Sequence, residues 1–206
     1  MMKRTIIGWL FMCFVIAVSA QNLKFKDGKF KIIQFTDLHY KLGNPASRQA
    51  TDCLYEIVKA EQPDLIVLTG DVIYSKPGDM CLQQILNIMS DLKVPFCYLL
   101  GNHDPEQGTP VTQLYDQAQQ NTYCVQPKRN GNALDFALPI KSSDGAKTAA
   151  VIYGMDTHEY CKMPGVGGYQ WLTWNQISRY RNWAASFKRE NGGKPIPALM
   201  FMHYPL

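Results

Sequence analysis

The stretch PFCYLLGNHD (residues 95–104) decides how this chain is read. Six mostly apolar residues, with a proline at their start, run straight into glycine, an amide, an imidazole and a carboxylate. An apolar run this short, bounded by turn residues, reads as a buried strand. The polar group then falls where that strand ends. The same arrangement recurs along the chain. FKIIQFT (residues 30–36) leads to Asp37-Leu38-His39, LIVL (65–68) leads to Gly70-Asp71, and the apolar run at 196–202 leads to His203. Ligand sites in open α/β sheets form beyond the carboxyl ends of strands. Four strands thus deliver polar residues toward one rim.

Between these strands the period changes. Residues 46–62 carry Ala50, Cys53, Leu54, Ile57 and Val58 at helical spacing, and residues 79–92 do the same with Leu82, Ile85, Leu86 and Met89. Strand, helix, strand, helix, strand in this order predicts an α/β sheet covered by helices on at least one face. Further on, residues 109–121 and 174–187 read as helices. Residues 133–140 and 148–155 read as strands joined by a turn at Ser142-Ser143-Asp144-Gly145. This second half is expected to build a further sheet packed on the first, within one domain spanning residues 21–206.

Composition narrows the class. The chain has 206 residues, 46% hydrophobic and 18% charged, an ordinary globular mix. Its formal net charge is +4. Lys3 and Arg4 contribute to that figure from a leader that reads as a secretory signal over residues 1–20. The leader has a basic start, an apolar stretch from Ile6 to Val18 and a small-residue cleavage site at Val18-Ser19-Ala20. Thirteen apolar residues reach only about 20 Å, short of a ~30 Å hydrocarbon core, so a cleaved signal is expected rather than a stable membrane anchor. Export to a periplasmic or secreted location follows. No basic cluster with interleaved aromatics marks a nucleic-acid partner. Outside the leader lie Cys53, Cys81, Cys97, Cys124 and Cys161, an odd count without CxxC spacing. Cys53, Cys81 and Cys97 are expected as small buried hydrophobes. The absence of Gly-x-Ser-x-Gly argues against a serine hydrolase.

The rim residues have coherent chemistry. Asp37 and His39, alternating in a segment expected to be extended, would point the same way and hold one ion. Asp71 has lone pairs enough to bridge two ions, while Asn102 offers an amide oxygen and His203 a ring nitrogen. Such oxygen and nitrogen donors suit two divalent or trivalent metal ions: iron, zinc or manganese. A pair of them ~4 Å apart would clamp a phosphate and generate hydroxide near neutral pH. His103 would then protonate the leaving oxygen, with Asp104 fixing its tautomer.

This series, Asp37-Leu38-His39, Gly70-Asp71, Gly101-Asn102-His103-Asp104 and Met202-His203, resembles the calcineurin-like metallophosphoesterases, which include purple acid phosphatases, phosphodiesterases and repair nucleases. The resemblance implies a four-layer α/β/β/α fold, two mixed sheets packed as a sandwich between helices. It implies a small phosphoester as substrate, with Asp37 and His39 on the first metal, Asp71 bridging, and Asn102 and His203 on the second. Asn102 and His103 would also meet the substrate. Gly70-Asp71-Val72-Ile73-Tyr74 matches the purple-acid-phosphatase pattern whose tyrosine binds ferric iron. His39 departs from that pattern, so Tyr74 is expected as a packing or rim residue. The stretches at 153–158 and 168–171 look like the purple-acid-phosphatase-related branch of bacteria and plants. Asp156 and His158 there are expected either to line the substrate pocket or to stand in a strand-end loop. Members of the superfamily carry a final Gly-His-x-His element, whereas this sequence ends at Leu206. The expectation is therefore a domain incomplete at its C-terminus with weakened metal binding and little turnover. The rival expectation is a non-catalytic fragment or binding module.

Overall fold

The computed structural model describes residues 23–204, so the leader expected over residues 1–20 lies outside the described residues. The first half forms a sheet of β1 (Ile32–Phe35), β2 (Leu65–Thr69) and β3 (Phe96–Leu99) in the order β1-β2-β3, with both pairings parallel. Helix α1 (Pro45–Glu61) joins the first two strands and α2 (Gly78–Leu92) the next two. Parallel neighbours need such crossovers, so the alternation read from the sequence dictates the strand direction.

Local chemistry sets the helix ends. Asn44 caps α1 by accepting the Ala46 N–H at 2.9 Å, Pro45 occupies the first turn, and Gln62 leaves the helix in the left-handed region just before Pro63. The buried stripe of α1 is Ser47, Thr51, Leu54 and Val58. Cys53 lies off that stripe and is exposed, contrary to expectation, while Cys81 and Cys97 are buried. All three, with Cys124 and Cys161, are free thiols.

Every residue of β2 is buried, because its two faces serve two cores. Ile66 and Leu68, with Phe96 and Tyr98 of β3, pack against α1, α2 and α3 (Val111–Gln119). Leu65 and Val67, with Cys97 and Leu99, face a second sheet through Phe136, Leu138, Ile140 and Ile152. Side chains alternate across a strand, so one apolar run supplies both layers.

The second sheet comprises β4 (Phe136–Lys141), β5 (Thr148–Gly154) and β6 (Ala198–Phe201). The tight turn between β4 and β5 makes that pair antiparallel, and the α4 (Trp174–Glu190) crossover makes β5 and β6 parallel. Tyr153 on the outer face meets Tyr180 and Trp183 of α4, with ring centroids 5.0 and 6.4 Å apart. The layers run α/β/β/α, the expected architecture. One detail differs: among the described residues the first sheet is purely parallel, and only the second is mixed. No helix among the described residues is long and apolar enough to cross a membrane.

Gly154 pairs with Phe136 across β4 and β5, and the Phe136 ring lies over it so closely that a Cβ would sit 2.3 Å from the ring tip. Gly154→Ala is therefore expected to cost about 1–3 kcal/mol by overpacking the inter-sheet core. A urea titration reads this as a lower midpoint with unchanged slope, and an unmoved midpoint would contradict the packing described.

Candidate metal centre

Three loops leave the carboxyl ends of β1, β2 and β3 side by side. The segment after β1 lies along the one after β2: the Asp37 N–H donates to the Gly70 carbonyl at 3.1 Å, and the His39 N–H donates to that of Asp71 at 2.9 Å. These bonds hold Asp37 (φ 54°) and His39 (φ 44°) in the left-handed region, and Asp71 is there too (φ 51°). The extended geometry expected for Asp37 and His39 is thus corrected. They converge because the loop is wound, not because an extended strand alternates. Non-glycine residues in this region carry strain, about 1–3 kcal/mol each, and persist only where their surroundings over-determine them.

Asp71 is the focus. Its Oδ2 lies 3.4 Å from His39 Nε2, 3.4 Å from His203 Nε2 and 3.9 Å from His103 Nε2. His39 Nε2 is 3.6 Å from Asp37 Oδ1, and His203 Nε2 is 3.3 Å from Asn102 Oδ1. Donor atoms each ~2.1 Å from one ion stand roughly 3–3.5 Å from one another in tetrahedral or octahedral geometry, so most of these separations fit ligands of a shared ion. Asp37, His39 and Asp71 alone bring three donor atoms within 4.8 Å of one another.

The neighbours prepare these donors. His203 Nδ1 lies 2.9 Å from the Thr69 carbonyl, an acceptor only, so Nδ1 carries a proton and Nε2 is the ring atom turned toward Asp71. Asp71 Oδ1 accepts the His103 N–H at 2.8 Å, leaving Oδ2 free. Burial opposes the charged form of Asp71, but His203 and the His103 amide outweigh it and hold the carboxyl below its usual range. The approach needs glycine twice. A Cβ on Gly70 (φ 93°) would sit 2.6 Å from His203 Nδ1, and one on Gly101 would sit 2.2 Å from Asp71 Oδ1.

Asp104 differs from its expected role. Its carboxylate is fully buried and accepts four backbone N–H bonds, from Asp71 at 3.0 Å, Val72 at 2.9 Å, Ile73 at 3.0 Å and Gly101 at 2.7 Å. Burial outweighs those amides and pushes the carboxyl up to about 6. None of its hydrogen bonds goes to the His103 ring. Instead His103 Nδ1 meets Glu106 Oε2 at 2.7 Å. The sequence reading missed Glu106, although a signal existed. Pro105–Gln107 is a 3-10 turn that starts two residues after His103, and the bend leading into it brings Glu106, three positions on, beside the ring.

The profile of the calcineurin-like phosphoesterase family matches residues 30–206. The chain belongs to that family. This calcineurin-like phosphoesterase chain is 28% identical to a probable inactive purple acid phosphatase of Arabidopsis thaliana, over 93% of this chain and 59% of the relative. It is 25% identical to the phosphatase DCR2 of Saccharomyces cerevisiae, over 93% of this chain and 37% of that protein. The chain thus spans between about a third and three fifths of the length of these relatives. A solved dimetal phosphatase from Danio rerio shares the fold, with a TM-score of 0.57 at 13% identity over 85% of this chain and 70% of that one.

In this phosphoesterase fold Tyr74 packs its ring on His39, centroids 4.8 Å apart, and meets the His103 ring at 5.0 Å. Asp156 and His158 line a cavity of about 560 Å³ together with Gly101, Leu134, Tyr160 and Met163. Their polar atoms nevertheless turn toward the start of α4. His158 Nδ1 lies 3.2 Å from Asp156 Oδ2, and its Nε2 lies 2.8 Å from Gln176 Oε1. Gln176, which the sequence reading also missed, donates to Asp135 and to the Asp156 carbonyl at 2.8 and 2.7 Å.

Two outcomes follow from these contacts. Asp104→Ala leaves four buried N–H groups without an acceptor and is expected to cost about 3 kcal/mol or more. Chemical denaturation measures it, and a loss under about 1 kcal/mol would contradict the structural role. For His158, the Asp156 bond foremost raises the imidazole from 6.5 to about 9. A raised folded-state value means that stability is fully present below 6.5 and fades as the pH rises through about 9. The gap in melting temperature between the wild type and His158→Ala should shrink across that window. A gap independent of pH would show that the His158–Asp156 pair contributes nothing.

Proposed function

We propose that this chain hydrolyses small phosphoesters, monoesters or diesters, with two metal ions held by Asp37, His39, Asp71, Asn102 and His203. One observation carries the reading. Asp71 Oδ2 stands equally close, at 3.4 Å, to His39 from the first loop and to His203 from the second half of the chain. A single carboxylate oxygen between two nitrogen-bearing donor sets is the arrangement of a bridging ligand. Carboxylate, amide and imidazole donors together suit iron, zinc or manganese. When bound, such ions polarise a phosphate and lower the pKa of water.

The residues of the chain divide the remaining work. Asp37 and His39 are the exposed members, at 53% and 37% of their side-chain surface, so the phosphate enters over them. Asp71 and His203 are buried and set the floor. His103 points Nε2 over the same carboxylate and is placed to give a proton to the leaving oxygen. Asn102 thereby meets both metal and ester, and His103 meets the ester. Export, read from the leader, belongs to the same proposal.

A second reading has its own support, because two Arabidopsis relatives are named probable inactive purple acid phosphatases. It holds that the site binds metal without turnover. The discriminating experiment titrates the chain with manganese, zinc or iron by calorimetry and then assays para-nitrophenyl phosphate and bis-para-nitrophenyl phosphate. We expect two ions per chain and metal-dependent release of nitrophenol, both reduced about 100-fold or more in Asp71→Asn. Metal binding without hydrolysis would select the second reading, and the absence of any metal binding would overturn both.

A further inference from the structure

Glu106 uses both of its carboxylate oxygens on the site. Oε2 meets His103 Nδ1 at 2.7 Å, and Oε1 accepts the Tyr160 hydroxyl proton at 3.2 Å. The Tyr160 oxygen in turn accepts from Asn102 Nδ2 at 2.8 Å. The direction of every bond in this chain follows from one end, because a carboxylate only accepts. His103 must therefore carry a proton on Nδ1, which leaves Nε2 as the atom that exchanges a proton over Asp71. Tyr160 must donate to Glu106, which frees its oxygen to receive the Asn102 amide. That pins the Asn102 NH₂ away from the centre and turns its Oδ1 toward His203 Nε2, 3.3 Å away. Reversing the amide would bring an N–H pair to the place a metal occupies.

We propose that Glu106 is a positioning residue: acting directly on His103 and through Tyr160 on Asn102, it fixes which nitrogen of His103 faces the leaving group and which end of Asn102 faces the metal. The leaving-group part rests on the phosphoester reading above; the orientation part rests on the hydrogen bonds alone. In the reaction, the bond between phosphorus and the leaving oxygen breaks with its electron pair going to that oxygen, which takes the proton from His103 Nε2. The attacking water forms the new phosphorus–oxygen bond and releases its own proton to solvent, from which Nε2 is recharged. The Nδ1 proton stays on the imidazole, held by Glu106 throughout. The chain joins the two halves of the molecule, since Glu106 follows β3 and Tyr160 follows β5.

Glu106 and Tyr160 are 39% and 43% exposed, so substitution there leaves the core intact. Glu106→Gln places an amide, able to donate, against His103 Nδ1. With an alkyl phosphoester, whose leaving oxygen needs a proton, we expect kcat to fall about 10–100-fold with little change in KM. With para-nitrophenyl phosphate, whose leaving oxygen needs none, the fall should be several-fold smaller. Glu106→Asp should recover part of the loss. Tyr160→Phe should keep the His103 tautomer yet weaken zinc binding about tenfold. Independent of turnover, the nitrogen spectrum of the zinc-loaded, ¹⁵N-histidine-labelled chain, assigned with His103→Ala, should show a protonated Nδ1 on His103 in the wild type, in the neutral and the charged ring alike, and a neutral ring bare at Nδ1 in Glu106→Gln. A wild-type His103 with no proton on Nδ1, or equal losses with both esters, would overturn the proposal. Should the wild type hydrolyse neither ester, the phosphoester reading falls while the spectrum still decides the role of Glu106.

Discussion

The carboxylate of Asp104 ties two loops with one group. Parallel strands β2 and β3 end side by side, and the backbone N–H groups of Asp71, Val72, Ile73 and Gly101 emerge there without strand partners. Left unpaired in a buried place, each would cost about 1–3 kcal/mol. Asp104 accepts all four. The cost is a carboxylate removed from water, visible in a pKa displaced upward to about 6. Because the loops are held this close, only glycine fits at Gly70 and Gly101. Asp71, with its N–H given to Asp104 and its carbonyl taken by the His39 N–H, has little freedom left. Its side chain points where the donors meet.

That placement comes with backbone strain at Asp37, His39 and Asp71, all in the left-handed region. The strain is tolerated because it sits at the edge of two well-filled cores. Strand β2 is buried along its whole length, and its opposite faces are locked by helices on one side and by a sheet on the other. Rigid strands therefore carry the loops, and the loops carry the chemistry. A conformation that the local sequence would not choose is imposed by structure that the local sequence does choose.

The same distinction separates what the amino-acid order reveals from what it hides. The alternation of helices and strands is legible, because periodicity records burial directly: Leu65 to Leu68 are apolar on both faces since both faces are covered. Helix ends fall within a few residues of expectation: α1 covers Pro45–Glu61 against an expected 46–62, and α4 covers Trp174–Glu190 against an expected 174–187. The residues that converge on Asp71 are legible as well, each sitting just past an apolar run. The winding of Asp37 and His39 is not, because it depends on hydrogen bonds to residues 70 and 71, more than thirty positions away. Nor is the task of Asp104, whose partners are backbone amides and leave no mark in side-chain identity. Cys53 is misplaced for a smaller reason, since the buried stripe of α1 runs through Thr51, Leu54 and Val58 and passes it by. Glu106 stands in plain view three residues after His103, but it becomes meaningful only once the bend before the Pro105–Gln107 turn is known.

Neither half of the molecule forms the site alone. His203 arrives from the end of β6, and its Nδ1–H donates to the Thr69 carbonyl on β2, crossing from one sheet to the other. Tyr160 crosses likewise to Asn102 and Glu106. The distance between Asp71 and His203 is therefore set by the packing of Leu65, Val67, Cys97 and Leu99 against Phe136, Leu138, Ile140 and Ile152. Close-packed interiors transmit strain rather than absorb it, so a shift in that layer moves the candidate donors relative to one another. The linkage also runs the other way. An ion that binds only when both sheets are docked adds its binding free energy to that docking, about 4 kcal/mol at a thousandfold excess over its Kd. Metal affinity and inter-sheet stability would then be linked, because the side chains that meet at Asp71 belong to both sheets.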